Sequence, residues 1–555
     1  MEGVLSGRLG FPITQPNWFS PETGIYSSRH SPRSLPQDEF VDLVSFVFSR
    51  PHRGETALID SASGLSISYP ELRSMVDRMA SGLRDIGVLP GQAVLILLPN
   101  SVLLPVILLG VLSLGAIFTT MNPLCSSKEI QEQMSHILHL SLVFSSSDKV
   151  ASLDQFGVPI VAVPNDLSYE SAHYPVFHKI VSGSPRLTWR PAIRQRDTAA
   201  ILFSSGTTGS SKGAVLTHCN LIAMVELFVR FEASQYKKES WRDVYLAAIP
   251  MFHVYGLSLF SIGLLSLGST IVVMRRFDAQ AAAKTIARYR VTHFPVVPPI
   301  MTALIRAKDA HGHDLRSLKQ ASCGAAPLSK QLIQDFLWRF PHIDFIQGYG
   351  MTESTAVGTR GFNTETSKKY TSVGLLAPNM EAKVVNWETG TSMPPGKSGE
   401  LWLRGPGIMK GYLNDEKESV SSIIDKDGWF KTGDIVYFDE DGYLFILDRL
   451  KDTIKYKGFQ IAPADLEALL ISHNEILDAA VTSAFDEEAG EIPVAFVVRK
   501  SGSNLSSNEI MEFVAKQVAP YKKVRRVIFV QSIPKSPAGK TLRRVLRSSF
   551  RASRM

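Results

Sequence analysis

Along the chain, short apolar runs alternate with stretches in which apolar positions recur every three or four residues. Ala93–Leu98, Leu140–Ser145, Pro159–Val163, Ala199–Phe203, Val244–Ile249 and Thr270–Met274 read as buried strands. Asp278–Arg290, with Asp278 as N-cap, and Pro299–Lys308 read as helices. Strands alternating with helices predict βαβ units and a mostly parallel sheet. The most apolar stretch, Ser101–Phe118, is near membrane-spanning length, but Pro105, Gly110 and Gly115 interrupt it and it lacks basic flanks. It reads instead as a core helix, started at Pro99-Asn100-Ser101 after the strand Ala93–Leu98, and no membrane span is expected.

After about residue 370 the texture changes to Gly, Pro and turn signals such as Pro394-Pro395-Gly396, Lys426-Asp427-Gly428 and Glu440-Asp441-Gly442, which predict short antiparallel strands. Beyond residue 450 a smaller α+β unit is expected. Its elements are a helix over Pro463–Ser472, strands near Ala479–Ala484 and Val494–Val498, a helix opened by the capping box Ser506 to Glu509, and a strand at Val527–Val530. The main boundary falls at Leu447–Lys451.

With 555 residues, 45% apolar and 20% charged, the chain can bury several cores and is too hydrophobic to be disordered. Its net charge of +7 is a local property. Lys516 to Met555 holds 12 Lys plus Arg and no Asp or Glu; the other 47 basic residues face 52 acidic ones, a balance of −5. No nucleic-acid partner is expected, and the question becomes which smaller phosphate-bearing molecule meets the C-terminus. Three cysteines, Cys125, Cys219 and Cys323, make no disulfide framework and show no metal-ligand spacing, which fits a reducing compartment. Met1 to Gln37 is rich in Pro, Ser and Gly without an apolar core, so it does not read as a secretory signal.

The clearest chemical signal is Ser204-Ser205-Gly206-Thr207-Thr208-Gly209-Ser210-Ser211-Lys212-Gly213-Ala214, placed after the strand Ala199–Phe203 and before a helical stretch from Thr217. Small residues expose consecutive backbone N–H groups, hydroxyls add donors and Lys212 adds charge, a combination suited to a polyphosphate. It is not a Walker A loop, because Ser211 stands where that motif needs Gly. Gln347-Gly348-Tyr349-Gly350-Met351-Thr352-Glu353 offers Tyr349 to stack on a purine, Thr352 to donate to a phosphate oxygen and Glu353 to hold Mg2+. Asp434, in Phe430-Lys431-Thr432-Gly433-Asp434, is placed to accept from ribose hydroxyls, and Asp448-Arg449-Leu450-Lys451-Asp452 follows. His253, alone in the apolar context Pro250 to Tyr255, reads from the residues as a core histidine.

Six ordered motifs now stand together: Ser204–Ala214, Gly348–Glu353, Lys431–Asp434, Asp448–Lys451, Lys455-Tyr456-Lys457-Gly458-Phe459-Gln460 and Pro534-Lys535-Ser536-Pro537-Ala538-Gly539-Lys540. In that order they resemble the adenylate-forming enzymes, and from about residue 40 onward the chain resembles their 4-coumarate:CoA ligase-like branch. The resemblance implies an α/β fold, with parallel-sheet subdomains and a β-rich subdomain in a large N-terminal domain (41–448), a hinge (449–452) and a small mobile α+β domain (453–555), residues 1–40 being an extension. It implies two half-reactions: carboxylate plus Mg-ATP gives acyl-AMP and pyrophosphate, and CoA then gives the thioester and AMP. ATP, Mg2+ and CoA are the expected cofactors and co-substrates, and a small carboxylic acid the other substrate.

By the same resemblance Lys540 bridges the substrate carboxylate and the α-phosphate, neutralising charge in the transition state. Ser204 to Gly209, Lys212, Gly324, Ala325, Ala326, Gln347, Gly348, Tyr349, Thr352, Asp434 and Arg449 bind the nucleotide, with Arg449 on the ribose and Glu353 on magnesium. Lys451 is the hinge about which the small domain swings, after which Lys455 and Gln460 serve thiolysis beside Lys457 and Gly458. His253, Tyr255, Ser258, Ser322, Gly324 and Val357 border the acyl and CoA tunnels, and the basic tail meets the CoA phosphates. The alternatives are a luciferase-like oxidoreductase that also adenylates first, or an adenylating enzyme with another second acceptor.

Two departures bear on the acid. True 4-coumarate ligases usually carry Asn where Ser258 stands and Lys where Ser322 stands; without these groups a buried ring hydroxyl loses its best partners, at about 1–3 kcal/mol. Ser354-Thr355-Ala356-Val357-Gly358 is also less bulky than the usual sequence, so a fatty, oxylipin-type or side-chain-bearing aromatic acid is expected. The terminal Ser553-Arg554-Met555 resembles the Ser-Lys-Leu peroxisomal address, which implies import through its receptor, the cytoplasm being the other location considered.

Overall fold

A computed structural model describes residues 18–183, 191–204, 212–235, 239–306, 313–363, 368–413, 423–450, 452–456, 459–486, 490–536 and 539–552. Two sheets carry the expected parallel core. One has seven strands in the order Gly411–Tyr412, Lys212–Thr217, Thr198–Ser204, Ile117–Thr120, Ala93–Leu97, Leu140–Ser146, Ile160–Val163. The other has nine, and its parallel centre runs Asp344–Tyr349, Gln320–Cys323, His293–Val296, Val244–Ala247, Thr270–Val273 and Thr56–Asp60. The strand Ala93–Leu97 is buried at every position, which explains its unbroken apolar run, and the helix Leu103–Ser113 that follows is fully buried through Leu112. Among the described residues no helix is long and apolar enough to cross a membrane.

Local sequence accounts for several helix starts. Asp278 caps Ala279–Tyr289 by accepting from the Ala281 N–H, and Ser506 and Glu509 form a reciprocal capping box ahead of Ser507–Ala515. A third sheet is antiparallel and contains Glu381–Val385, Gly399–Arg404, Phe430–Phe438 and Leu444–Arg449, joined by turns in which Gly396, Gly428 and Gly442 have φ near +80°.

Two features of the fold go beyond the sequence pattern. Within residues 1–40, Phe19–Ser20 and Ile25–Ser27 are strands of that third sheet, and Tyr26 is fully buried, stacked on Phe438 with centroids 4.5 Å apart. A buried aromatic ring in the middle of a three-residue strand leaves too short a pattern to find. The second concerns the Ser204–Ala214 segment. Lys212–Thr217 is a strand antiparallel to Thr198–Ser204, with Lys212 opposite Ser204, and the helix His218–Met224 follows with Thr217 as its N-cap, as expected.

One apolar core, from Tyr26 to Leu444, unites the three sheets; two separate clusters, one from Ile454 to Val524 and one from Ala480 to Leu546, lie in the small C-terminal domain. That domain is a five-stranded sheet, Phe459–Ile461, Ile454–Tyr456, Gly490–Arg499 and Ile476–Asp486, with Arg526–Phe529 parallel to Gly490–Arg499.

Candidate active site

A cavity of about 840 Å3 lies at the carboxyl ends of the parallel strands Asp344–Tyr349 and Gln320–Cys323, where open α/β sheets bind ligands. Gly348 and Tyr349 leave the first strand; Gly324 and Ala325 leave the second. The chain then turns back on itself. A side chain on Gly350 would stand 2.5 Å from the Ala356 carbonyl oxygen, and Ala325, Thr355 and Ala356 hold left-handed φ of +72°, +52° and +62°. Strained backbone of this kind collects where a site over-determines geometry.

On one side of the cavity the polar groups are already joined. Asp434 is 4% exposed; its Oδ2 accepts from the Tyr349 hydroxyl at 2.6 Å and its Oδ1 lies 2.9 Å from Arg449 Nε. Burial, then the Asp434 charge, raises the Tyr349 pKa, so the phenol stays protonated. Glu353 is buried and its Oε1 accepts from the Tyr412 hydroxyl at 2.8 Å, while Lys212 Nζ sits 4.9 Å from the Tyr412 ring centroid. Into the same space comes Lys540, from the small domain. Burial, then the neighbouring Arg449 charge, lowers its pKa to about 8, with Asp434, Asp452 and Glu353 pulling the other way. The turn carrying it is closed by Ser536, whose N–H donates to the Lys540 carbonyl and whose Oγ accepts from the Lys540 N–H. Gly539, at φ +80°, packs against Pro299.

The other side is mostly apolar, with Phe228, Phe252, Val254, Val297 and Ala356, and includes His253 and Tyr255. His253 Nε2 is buried without a hydrogen-bond partner, and burial lowers its pKa to about 4, so the ring is neutral near pH 7. It is therefore not the satisfied core histidine that its sequence context suggested. Tyr255 donates to the Ser322 carbonyl at 3.1 Å.

The structure brings Ser204, Lys212, His253, Tyr255, Gly324, Ala325, Gly348, Tyr349, Thr352, Glu353, Arg449 and Lys540 to the cavity wall, with Asp434 bonded to two of them. Five other expected residues are not in the wall. Gln347 donates to the Tyr370 carbonyl, Ser258 is fully buried, Ser322 and Val357 are buried, and Ala326 stands apart from the lining. Ser205, Gly206, Thr207, Thr208, Gly209, Lys451, Lys457, Gly458 and Ser553 to Met555 lie outside the described residues; for Lys455 and Gln460 only the backbone pairing is described. Sequence reasoning missed Tyr412, Phe228 and Arg360. Tyr412 becomes legible only through the antiparallel pairing of Ala214 with Tyr412.

The chain belongs to the AMP-binding enzyme family, whose model matches residues 47–413; the family's C-terminal domain matches residues 465–540. Within that family it is an ATP-dependent carboxylate–CoA ligase of the 4-coumarate–CoA ligase-like group, with ATP and CoA as substrates. It is 57% identical over 536 residues to 4-coumarate–CoA ligase-like 6 of Arabidopsis thaliana, covering 96% of this chain and 94% of that one. Peroxisomal OPC-8:0-CoA ligase 1 of the same organism is 43% identical over 95% of this chain and 96% of its own length. Among solved structures, ATP-bound MatB from Rhodopseudomonas palustris superposes with a TM-score of 0.83 at 26% identity, covering 92% of this chain and 98% of that one.

Proposed function

We propose that this cavity runs both half-reactions, the small domain supplying Lys540 for the first and a different face, carrying Lys455 and Gln460, for the second. The observation that carries this reading is the entry of Lys540, from one domain, into a cavity shared with Tyr349, Glu353 and Arg449 of the other. A carboxylate is a poor electrophile at neutral pH, and attack of its oxygen on the α-phosphorus of ATP, with pyrophosphate leaving, converts it to a mixed anhydride. Lys540 Nζ then lies between two anions and offsets the charge that accumulates between them. With a pKa of about 8 before anions arrive, it holds its proton more firmly once they do.

Asp434 accepts the ribose hydroxyls with the lone pairs that Tyr349 and Arg449 leave, since a carboxylate offers about four acceptor sites. Tyr349 stacks on the adenine, with Gly324 and Ala325 in the same wall. Thr352 and the loop from Ser204 to Lys212 hold the triphosphate. Magnesium fits Glu353: a single buried carboxylate on the wall, with no cluster of three or more acidic, His or Cys ligands among the described residues, suits an ion that draws most of its shell from phosphates and water. When bound, it neutralises charge on the triphosphate.

The swing about Lys451 in the hinge 449–452 then replaces Lys540 by Lys455 and Gln460, Lys457 and Gly458 border the CoA path, and neutral His253 stands where acyl group and thiol meet. The CoA sulfur attacks the acyl carbon and AMP leaves. The acid is a fatty, oxylipin-type or side-chain-bearing aromatic one. Ser553-Arg554-Met555 addresses the enzyme to the peroxisome, a reading supported by the peroxisomal name of one relative. Lys540→Ala is the test: pyrophosphate release should fall by at least 100-fold while thiolysis of supplied acyl-AMP stays within threefold, and equal loss of both steps would contradict the swing.

A further inference from the structure

Resting on the ligase reading above, we propose that Tyr412 is a positioning residue for the triphosphate end of ATP: one side chain holds Glu353, the magnesium-binding carboxylate of that reading, and Lys212, its phosphate-loop cation, in fixed relation. Tyr412 is half-buried in the cavity wall, on the two-residue strand Gly411–Tyr412. Backbone bonds fix this segment on two sides. The Leu413 N–H donates to the Gly213 carbonyl at 2.7 Å and the Lys410 N–H to the Val215 carbonyl at 2.9 Å, while the Met409 N–H donates to the Glu353 carbonyl at 2.9 Å. Residues 409–413 thus tie the strand that begins at Lys212 to the turn that carries Glu353.

The Tyr412 side chain repeats the tie inside the cavity. It stands opposite Ala214, so Lys212, two residues before Ala214, is its diagonal neighbour on the same face of the sheet. The Lys212 ammonium lies 4.9 Å from the ring centroid, within cation–π reach. At the other end of the ring the phenol donates at 2.8 Å to Glu353 Oε1, a charge-assisted bond to a residue only 5% exposed. A carboxylate has about four acceptor sites, so this bond sets the direction of Glu353 and leaves sites for a cation. Phenylalanine in this place would keep the ring beside Lys212 and take that donor from a buried carboxylate. Adenine and ribose are held elsewhere in the same reading, by Tyr349, Asp434 and Arg449, so Tyr412 matters for ATP and not for AMP.

The experiment is equilibrium titration of the full-length enzyme with Mg-ATP and with AMP, no acid being present, so that binding is read without turnover. Tyr412→Phe should weaken Mg-ATP at least fivefold and AMP less than twofold, and Tyr412→Leu, which also removes the ring, should weaken Mg-ATP at least threefold further. Because the hydroxyl acts through Glu353, adding Tyr412→Phe to Glu353→Gln should cost less than twofold, whereas a merely structural loss would add in full. In turnover, Tyr412→Phe should slow pyrophosphate release and leave thiolysis of supplied acyl-AMP within threefold. Mg-ATP binding unchanged in Tyr412→Phe, equal weakening of Mg-ATP and AMP, or full additivity with Glu353→Gln in variants whose melting curves show them folded, would overturn the proposal. Those results sink this inference alone, while a wild-type enzyme that forms no acyl-AMP from any acid sinks the ligase reading.

Discussion

Gly539→Ala tests whether docking of the Lys540 turn is what permits adenylation. Gly539 has φ +80°, where an L side chain costs about 1–2 kcal/mol. Its new β-carbon would also stand 2.6 Å from Pro299 Cδ and 2.9 Å from Cγ, atoms of a rigid ring that cannot swing aside. At about 1.4 kcal/mol per factor of ten, the backbone term alone lowers the docked population roughly 5- to 30-fold, and the clash adds to it. Pyrophosphate release from ATP and acid should therefore fall by at least about tenfold, while CoA thiolysis of supplied acyl-AMP changes less than threefold. Pro299→Ala in the same chain should return the part due to the clash and leave the backbone part. Equal loss of both half-reactions, or no recovery on removing the proline ring, would refute the reasoning.

Other expectations concern charge and address. Lys540, lowered to about 8 by burial and then by Arg449, must be protonated to bridge two anions, so kcat/KM for adenylation should decline above about pH 8; Lys540→Arg, which keeps its charge, should lose that alkaline limb even if slower. His253, held near 4 by burial, is already neutral at pH 6, so His253→Gln should leave the profile between pH 6 and 7 unchanged in shape whatever it does to rate. A fusion that masks Met555 should leave the protein outside peroxisomes, seen by imaging; normal import would remove the address from the account.

Much of the scaffold was legible because its determinants are local. A doubly covered strand such as Ala93–Leu97 must be apolar throughout, and the N-caps Asp278 and Ser506 act within three residues. The ordered motifs likewise marked the ends of the strands that border the cavity. What stayed hidden depends on pairing. The Lys212–Thr217 strand is buried on both faces at Gly213, Ala214, Leu216 and Thr217, so no alternation betrays it. Glu232 and Arg360 stand 128 positions apart and meet only through the fold, and nothing local distinguishes them from surface charges. For His253 the apolar surroundings were correctly sensed, but whether its ring nitrogen finds a partner is a three-dimensional fact.

The most direct measurement is mass spectrometry of the products formed by the purified protein with Mg-ATP, CoA and a panel of cinnamates, fatty acids and cyclopentanone oxylipins. The account expects one dominant acyl-CoA, with AMP and pyrophosphate in equal amounts, and acyl-AMP when CoA is left out. Pyrophosphate with no thioester would mean a different second acceptor, and ADP in place of AMP would contradict adenylation itself.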